Sequence, residues 1–269
     1  MGRRLGQHFL RDPRILDRIV DALDPLADDV VLEIGPGDGS LTRRLAPRVA
    51  RVVAIERDRE LVGQLTGAGH GERSAPLPGN VSVVGADALE IDWTGAEPLP
   101  APGTSFKLVG NIPYYITSPL IAKALSPPLP AVVVFLVQKE VAERVVATPG
   151  GREYGALTVG VQAVARAERV FAIKAGAFQP PPKVDSALLR LTPLAEPLVS
   201  PTEFPALRRF LAALFGQRRK QLGRSLRHVV SLSAADAAAL CGRLEIPPSV
   251  RPEQVAPDRL VALFRAAMR

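Results

Sequence analysis

Val30-Val31-Leu32-Glu33-Ile34-Gly35-Pro36-Gly37-Asp38-Gly39-Ser40 is the stretch on which the fold turns. A brief β-branched apolar run is cut off by turn formers, which is the pattern of a buried strand. Gly35 and Gly37 let the backbone bend sharply and approach a ligand closely. A helical pattern follows from Leu41, and a helix N-terminus behind a glycine turn favours an anionic group. Strand, glycine turn and helix in that order open a βαβ unit. A glycine turn with a structural role only is the competing reading.

Outward from this stretch the pattern repeats. Val52 to Ile55, Val81 to Val84, Lys107 to Val109 and Val132 to Val137 have the same character. Helical patterns lie near Leu41 to Ala46, Arg59 to Leu65, Pro119 to Ala124 and Lys139 to Val146. The expectation is an α/β fold with a mostly parallel sheet. Residues 67–80 and 92–105, rich in Gly and Pro, read as surface loops. A helix is expected within Gly155 to Ala165, and late strands at Val170 to Ile173 and Ala187 to Leu191. Gln179-Pro180-Pro181-Pro182-Lys183 between those strands reads as an extended connector. A Pro-rich stretch around Pro193 to Pro205 divides an expected domain 1–195 from a helical domain 200–269.

The 269 residues can bury a sizeable core. Neither an apolar run of 18 residues nor a signal-peptide pattern occurs, so a cytoplasmic protein acting away from membranes is expected. Cys241 is the single cysteine and the three histidines are far apart, which disfavours a metal site. The net charge is +7, and residues 201–269 hold 12 Arg or Lys against 5 Asp or Glu. The whole excess therefore sits in the C-terminal part, as expected of a polyanion-binding surface. No acid occurs from Arg208 through Arg227, where Arg218, Arg219, Lys220, Arg224 and Arg227 are the candidate phosphate contacts. A solvated basic helix face is the alternative.

The chemistry gathers at the carboxyl ends of the strands, where open α/β sheets bind ligands. A dinucleotide fingerprint would place a third glycine at position 40, but Ser40 is there; the spacing G-x-G-x-G is that of S-adenosylmethionine binders. Glu56 stands where an acid accepts hydrogen bonds from ribose hydroxyls, unless it is simply a solvated acid. Asp87 is placed to accept from an adenine amine, or to cap a helix. Asn111-Ile112-Pro113-Tyr114 follows the fourth strand. It suits activation of a planar exocyclic amine: the Asn111 carbonyl and the backbone carbonyl beside Pro113 accept its two N–H groups while Tyr114 stacks on the base. A proline-bearing turn is the competing reading of those four residues.

Taken together, these segments closely resemble the KsgA family of small-subunit ribosomal RNA adenine dimethyltransferases along nearly the full chain. Gly6 to Leu10, Glu33 to Thr42, Glu56, Gly85 to Leu89, Asn111 to Pro119, Phe178 to Ser186 and Phe215 to Lys220 carry the resemblance. It implies a class I methyltransferase, with a Rossmann-like, mostly parallel seven-stranded sheet, a final antiparallel strand and a small all-α C-terminal domain. It also implies that Gln7, His8 and Leu10 close over S-adenosylmethionine, with Gly35, Gly37 and Glu56 on its methionine and ribose and Asp87 and Ala88 on its adenine. Asn111 then bridges cofactor and substrate, and Tyr114 and Phe178 sandwich the target base. Phe178, just before the Pro-rich connector, reads as an exposed clamp rather than a core aromatic.

The implied activity is N6,N6-dimethylation of adjacent adenosines in 16S ribosomal RNA, on free RNA or on a partly assembled small subunit, by a monomer. His8 and Tyr115 stand where many relatives carry Asn. Both keep polar capability. Competing functions are a large-subunit adenine methyltransferase of the macrolide-resistance type, a DNA adenine methyltransferase, and a non-catalytic ribosome assembly factor. No sizeable target-recognition segment favours the DNA reading.

Overall fold

The computed structural model describes residues 8–68, 76–217 and 220–268. In chain order the elements are β1 (Phe9–Leu10), α1 (Pro13–Ala22), β2 (Val30–Ile34), α2 (Ser40–Leu45), β3 (Arg51–Glu56), α3 (Arg59–Thr66), β4 (Val81–Gly85), β5 (Lys107–Asn111), α4 (Thr117–Ala124), β6 (Val133–Gln138) and α5 (Lys139–Val145). There follow α6 (Ala156–Gln162), β7 (Ala165–Ile173), β8 (Phe178–Gln179), β9 (Ser186–Pro193), α7 (Phe204–Phe215), α8 (Leu222–Val229), α9 (Ala234–Arg243) and α10 (Pro257–Ala267).

Seven strands form one sheet in the order β4-β3-β2-β5-β6-β9-β7. The pairs from β4 to β6 are parallel, and β9 runs antiparallel to β6. The winding reverses between β2 and β5, which places the glycine turn and Asn111 at a topological switch point. The expected strands are all present: β2 has the expected bounds, β6 is shifted by one residue, and β3, β4 and β5 are a residue or two longer. Val170 to Ile173 is only the end of the nine-residue β7. Its exposed and half-buried residues mask the apolar run that marks the other strands.

Strand periodicity decides what faces the site. Val31, Val52, Val109, Val134 and Leu136 belong to one buried cluster with Leu16, Ile19 and Val20 of α1 and Leu41 and Leu45 of α2. Counting by twos along the strands, Glu33, Glu56 and Asn111 fall on that same face, at its carboxyl edge. The first helix is started by Asp12, whose carboxylate accepts from the Arg14 backbone N–H at 2.9 Å, followed by Pro13.

The chain divides into two compact units, and the boundary differs from the expected one. The sheet unit ends at Ala142 and resumes over Glu168–Thr192; Glu143–Ala167 belongs with the part from Pro193 onward. The reason lies in α6. It buries Thr158, Val159, Gly160 and Val161, and Gly160 lies against the Arg208 and Leu211 side chains of α7. An apolar helix that early in the chain reads as part of the α/β alternation, whereas its packing partner comes some 50 residues later. Within this second unit Tyr154 donates its buried hydroxyl to the Val255 carbonyl at 2.8 Å and meets Phe215 edge-on at 6.1 Å.

Candidate active site

A cavity of about 370 Å³ opens at the carboxyl ends of β2, β3 and β5. Its volume is that of a small-molecule site. Gly35, Gly37 and Ser40 of the glycine turn line it, with Glu33, Glu56, Asn111, Pro113, Tyr114 and Phe178, and with His8 and Leu10 from the N-terminal segment. Residues separated by more than 160 positions thus meet around one space.

The turn is held open by its glycines and by an acid. Gly35 and Gly37 have φ of +66° and +59°, a region that side chains rarely adopt. The Gly37 N–H donates to Glu56 Oε2 at 3.3 Å, and the Asp58 N–H donates to Oε1 at 2.9 Å. A carboxylate has about four acceptor sites, and the Arg57 N–H is a third backbone donor to Glu56, so the carboxylate keeps about one site for a ligand. Burial raises the Glu56 pKa, and those backbone donors oppose the rise.

Glu33 had no role assigned from the sequence, although it stands at the head of the glycine motif. It is buried, and that burial pushes its pKa up to about 7 against the pull of the nearby Thr42 hydroxyl, with Glu56 and Asp38 adding repulsion. Glu33 Oε2 has no hydrogen-bond partner. An orphaned buried carboxyl oxygen in a cavity wall is costly unless a ligand completes it. Period-two alternation from Val31 is the signal that would have aimed Glu33 at the cavity.

A strap crosses this space. β1 pairs antiparallel with β8, Phe9 opposite Gln179 and Leu10 opposite Phe178. The His8 backbone carbonyl accepts from Asn111 Nδ2 at 2.9 Å, and His8 Nδ1 lies 2.8 Å from the Pro180 carbonyl oxygen. Its ring stacks on Tyr114 with centroids 6.2 Å apart and 29° between planes. Tyr114 in turn shares a 3.0 Å hydrogen bond with the buried Ser186 hydroxyl, another residue whose role the sequence did not disclose. Because only the amide nitrogen can donate to His8, the Asn111 carbonyl oxygen remains available as an acceptor.

Other expectations need correction or fall elsewhere. Phe178 is not an exposed clamp: it is 5% exposed and belongs to the core cluster while also lining the cavity. Strand pairing with Leu10 turns the ring inward, which the adjacent prolines conceal. Asp87 and Ala88 are not among the cavity-lining residues. The Asp87 carboxylate accepts from the Leu89 N–H at 2.9 Å and pairs with Arg57 at 3.3 Å, so it caps a turn rather than a helix. Gln7, Arg218 and Arg219 lie outside the described residues. Lys220, Arg224 and Arg227 are exposed in the second unit. No cluster of His, Cys, Asp or Glu able to hold a metal exists among the described residues.

The donor set fits S-adenosylmethionine. The cavity offers a spare acceptor site at Glu56 and an uncompensated polar atom at Glu33, beside a turn that no Cβ crowds at Gly35. The profile of the family described as "Ribosomal RNA adenine dimethylase" matches residues 2–255. The chain is 42% identical over 268 residues, 97% of its own length and 93% of the relative's, to "Ribosomal RNA small subunit methyltransferase A" of Synechococcus elongatus. Among solved structures, a dimethyladenosine transferase from Plasmodium falciparum superposes with a TM-score of 0.78 at 26% identity, covering 95% of this chain and 96% of that one. The 23S rRNA methyltransferase ErmE superposes with a TM-score of 0.67 at 29% identity, covering 97% and 100%. The cavity, its donors and these likenesses agree: the chain belongs to the ribosomal RNA adenine dimethylase family.

Proposed function

We propose that this chain transfers methyl groups from S-adenosylmethionine to the N6 amine of adjacent adenosines in small-subunit (16S) ribosomal RNA, in two rounds per base. It acts as a cytoplasmic monomer on a partly assembled small subunit. The observation that carries the reading is the fixed orientation of Asn111 beside Tyr114 in the cavity wall.

The amine of adenosine is a poor nucleophile because its lone pair is delocalised into the ring. Asn111 Oδ1 and the backbone carbonyl beside Pro113 accept its N–H bonds, which draws electron density back to nitrogen as charge develops. Since the amide nitrogen is already anchored, this geometry is set before substrate arrives, and no reorganisation is spent during reaction. Tyr114 stacks on the base, its hydroxyl tethered to Ser186, and Phe178 closes the wall from the core side.

Bound S-adenosylmethionine supplies a methyl made electrophilic by its sulfonium. Gly35, Gly37 and Glu56 hold its methionine and ribose, with Gln7, His8 and Leu10 over it and Asp87 and Ala88 at its adenine. No strong general base is required, because the nitrogen-bound proton becomes acidic once the nitrogen is alkylated. Lys220, Arg224 and Arg227, with Arg218 and Arg219, contact RNA phosphates. The curated relative's small-subunit name supports that substrate over the large-subunit one.

The test is labelled methyl transfer to small subunits lacking the modification, to naked 16S RNA and to large-subunit RNA, followed by mapping. Dimethyladenosine in small-subunit particles is expected. Label confined to large-subunit RNA would replace this reading with the ErmE-like one, and a wholly inactive chain would leave an assembly factor.

A further inference from the structure

Three ring-bearing side chains, His8, Tyr114 and Tyr115, are among those that line the cavity. The first two stack on each other. Tyr115 is 61% exposed, more than any other large hydrophobic side chain among the described residues. A phenol ring left in water forgoes the burial that makes aromatics valuable in a core. Tyr115 is not on a free loop tip: it sits in the single turn Tyr114–Ile116, between Tyr114 tethered to Ser186 and the Ile116 N–H, which donates to the Pro113 carbonyl at 3.1 Å. The buried Thr117 then begins α4. The ring is thus held outward by an anchored backbone.

Space dictates what meets it. A cavity of about 370 Å³ lies near the lower end for sites that take one small molecule. With a cofactor and a reacting base competing for it, the nucleotides on either side of that base must stay at the rim. Single-stranded RNA is read by splaying bases onto aromatic side chains. We propose that Tyr115 is a stacking platform for the nucleobase next to the target adenosine, a substrate-binding contact outside the reaction centre. This rests on the reading of the cavity given under Proposed function.

The experiment uses the full chain, its Tyr115→Phe and Tyr115→Ala variants, and an RNA fragment bearing the mapped acceptor adenosine, with its neighbour intact or abasic. Binding of the fragment and the steady-state constants are both measured. Base-aromatic stacking predicts a roughly 5- to 150-fold loss of affinity and rise in KM for Tyr115→Ala, with kcat little changed and Tyr115→Phe close to wild type. The abasic fragment should bind the wild-type chain as weakly as Tyr115→Ala binds the intact one. Equal affinity of Tyr115→Ala and wild type for the intact fragment overturns the platform, as does a Tyr115→Phe variant as impaired as Tyr115→Ala. If the wild-type chain methylates RNA and Tyr115→Ala matches it, only the platform falls; if the wild-type chain methylates no RNA, the reading of the cavity falls and the platform with it.

Discussion

Asn111 Nδ2 donates to the backbone oxygen of His8 at 2.9 Å, joining residues 103 positions apart. The contact gives the carboxamide one permitted orientation, because a carbonyl cannot donate. Asn111→Ala should lower methyl incorporation by roughly 10²- to 10³-fold, the scale for losing one preorganised polar group. Asn111→Asp is the sharper probe. It keeps an acceptor for the amine but sets a carboxylate against the His8 carbonyl, so single-turnover rates should stay depressed. A wild-type rate for the Asp variant would show that the anchor is irrelevant.

The two buried acids should give stability an uncommon pH dependence. Glu33 keeps its proton up to about pH 7 in the folded chain but loses it near 4.5 when unfolded. Between those values the folded state binds more protons, so stability falls as pH rises through the window and is level above it. Glu56, also raised by burial, acts in the same direction. Glu33→Gln should therefore gain on wild type from pH 4.5 to 7, by an amount on the order of 3 kcal/mol. Thermal melts across that range test it; a pH-independent difference would mean that Glu33 titrates normally.

The ion pair of Glu203 with Arg265 in the second unit should show the opposite sign. Arg265 Nε and Nη2 reach Oε1 and Oε2 at 2.9 and 3.0 Å, and with Ser200 they hold the Glu203 pKa down at about 2. Stability from this pair is present above pH 4.5 and is lost as pH falls toward 2. Solvent screens it. Arg265→Met should lower Tm modestly at pH 7 and leave the melt at pH 2 almost unchanged.

Gly110 precedes Asn111 at a place with no room for a side chain. A Cβ there would lie 2.5 Å from the Ile34 carbonyl oxygen and 2.8 Å from Ile112 Cδ1. Gly110→Ala should cost about 1–3 kcal/mol or more, since a backbone atom must yield. Gly176, with nothing within 4 Å of its added Cβ, is the control. Gly176→Ala should be neutral or slightly stabilising in chemical denaturation.

These residues also show which parts of the fold were legible in the sequence. Local patterns carried the strands: β-branched runs ending in turn formers marked the parallel sheet, and the residues after three of them, Gly35, Glu56 and Asn111, line the cavity, whereas Asp87 after β4 does not. Contacts made at long range were not encoded locally. The two-residue β1 and β8 are too short for any period to register, yet their pairing turns Phe178 inward and brings His8 to Asn111. The placement of α6 with α7 joins segments some 50 residues apart, which no local pattern discloses. Glu33 was visible but silent, because its meaning comes from burial rather than from residue type.

The basic surface gives the last prediction. α8 buries Leu222, Ser225 and Leu226, and its exposed side carries Arg224 and Arg227, with Lys220 exposed just before it. If these three side chains neutralise phosphates, each releases counterions, and log affinity falls with log salt by about 0.7 to 0.9 per contact. The triple variant Lys220→Ala, Arg224→Ala, Arg227→Ala should bind 16S RNA more weakly at low salt and flatten that slope by roughly 2 to 3. Cofactor binding should not change, because none of the three lines the cavity. A weakened variant with an undiminished slope would assign the loss to folding of the helix, and an unchanged affinity would return the three residues to a merely solvated face.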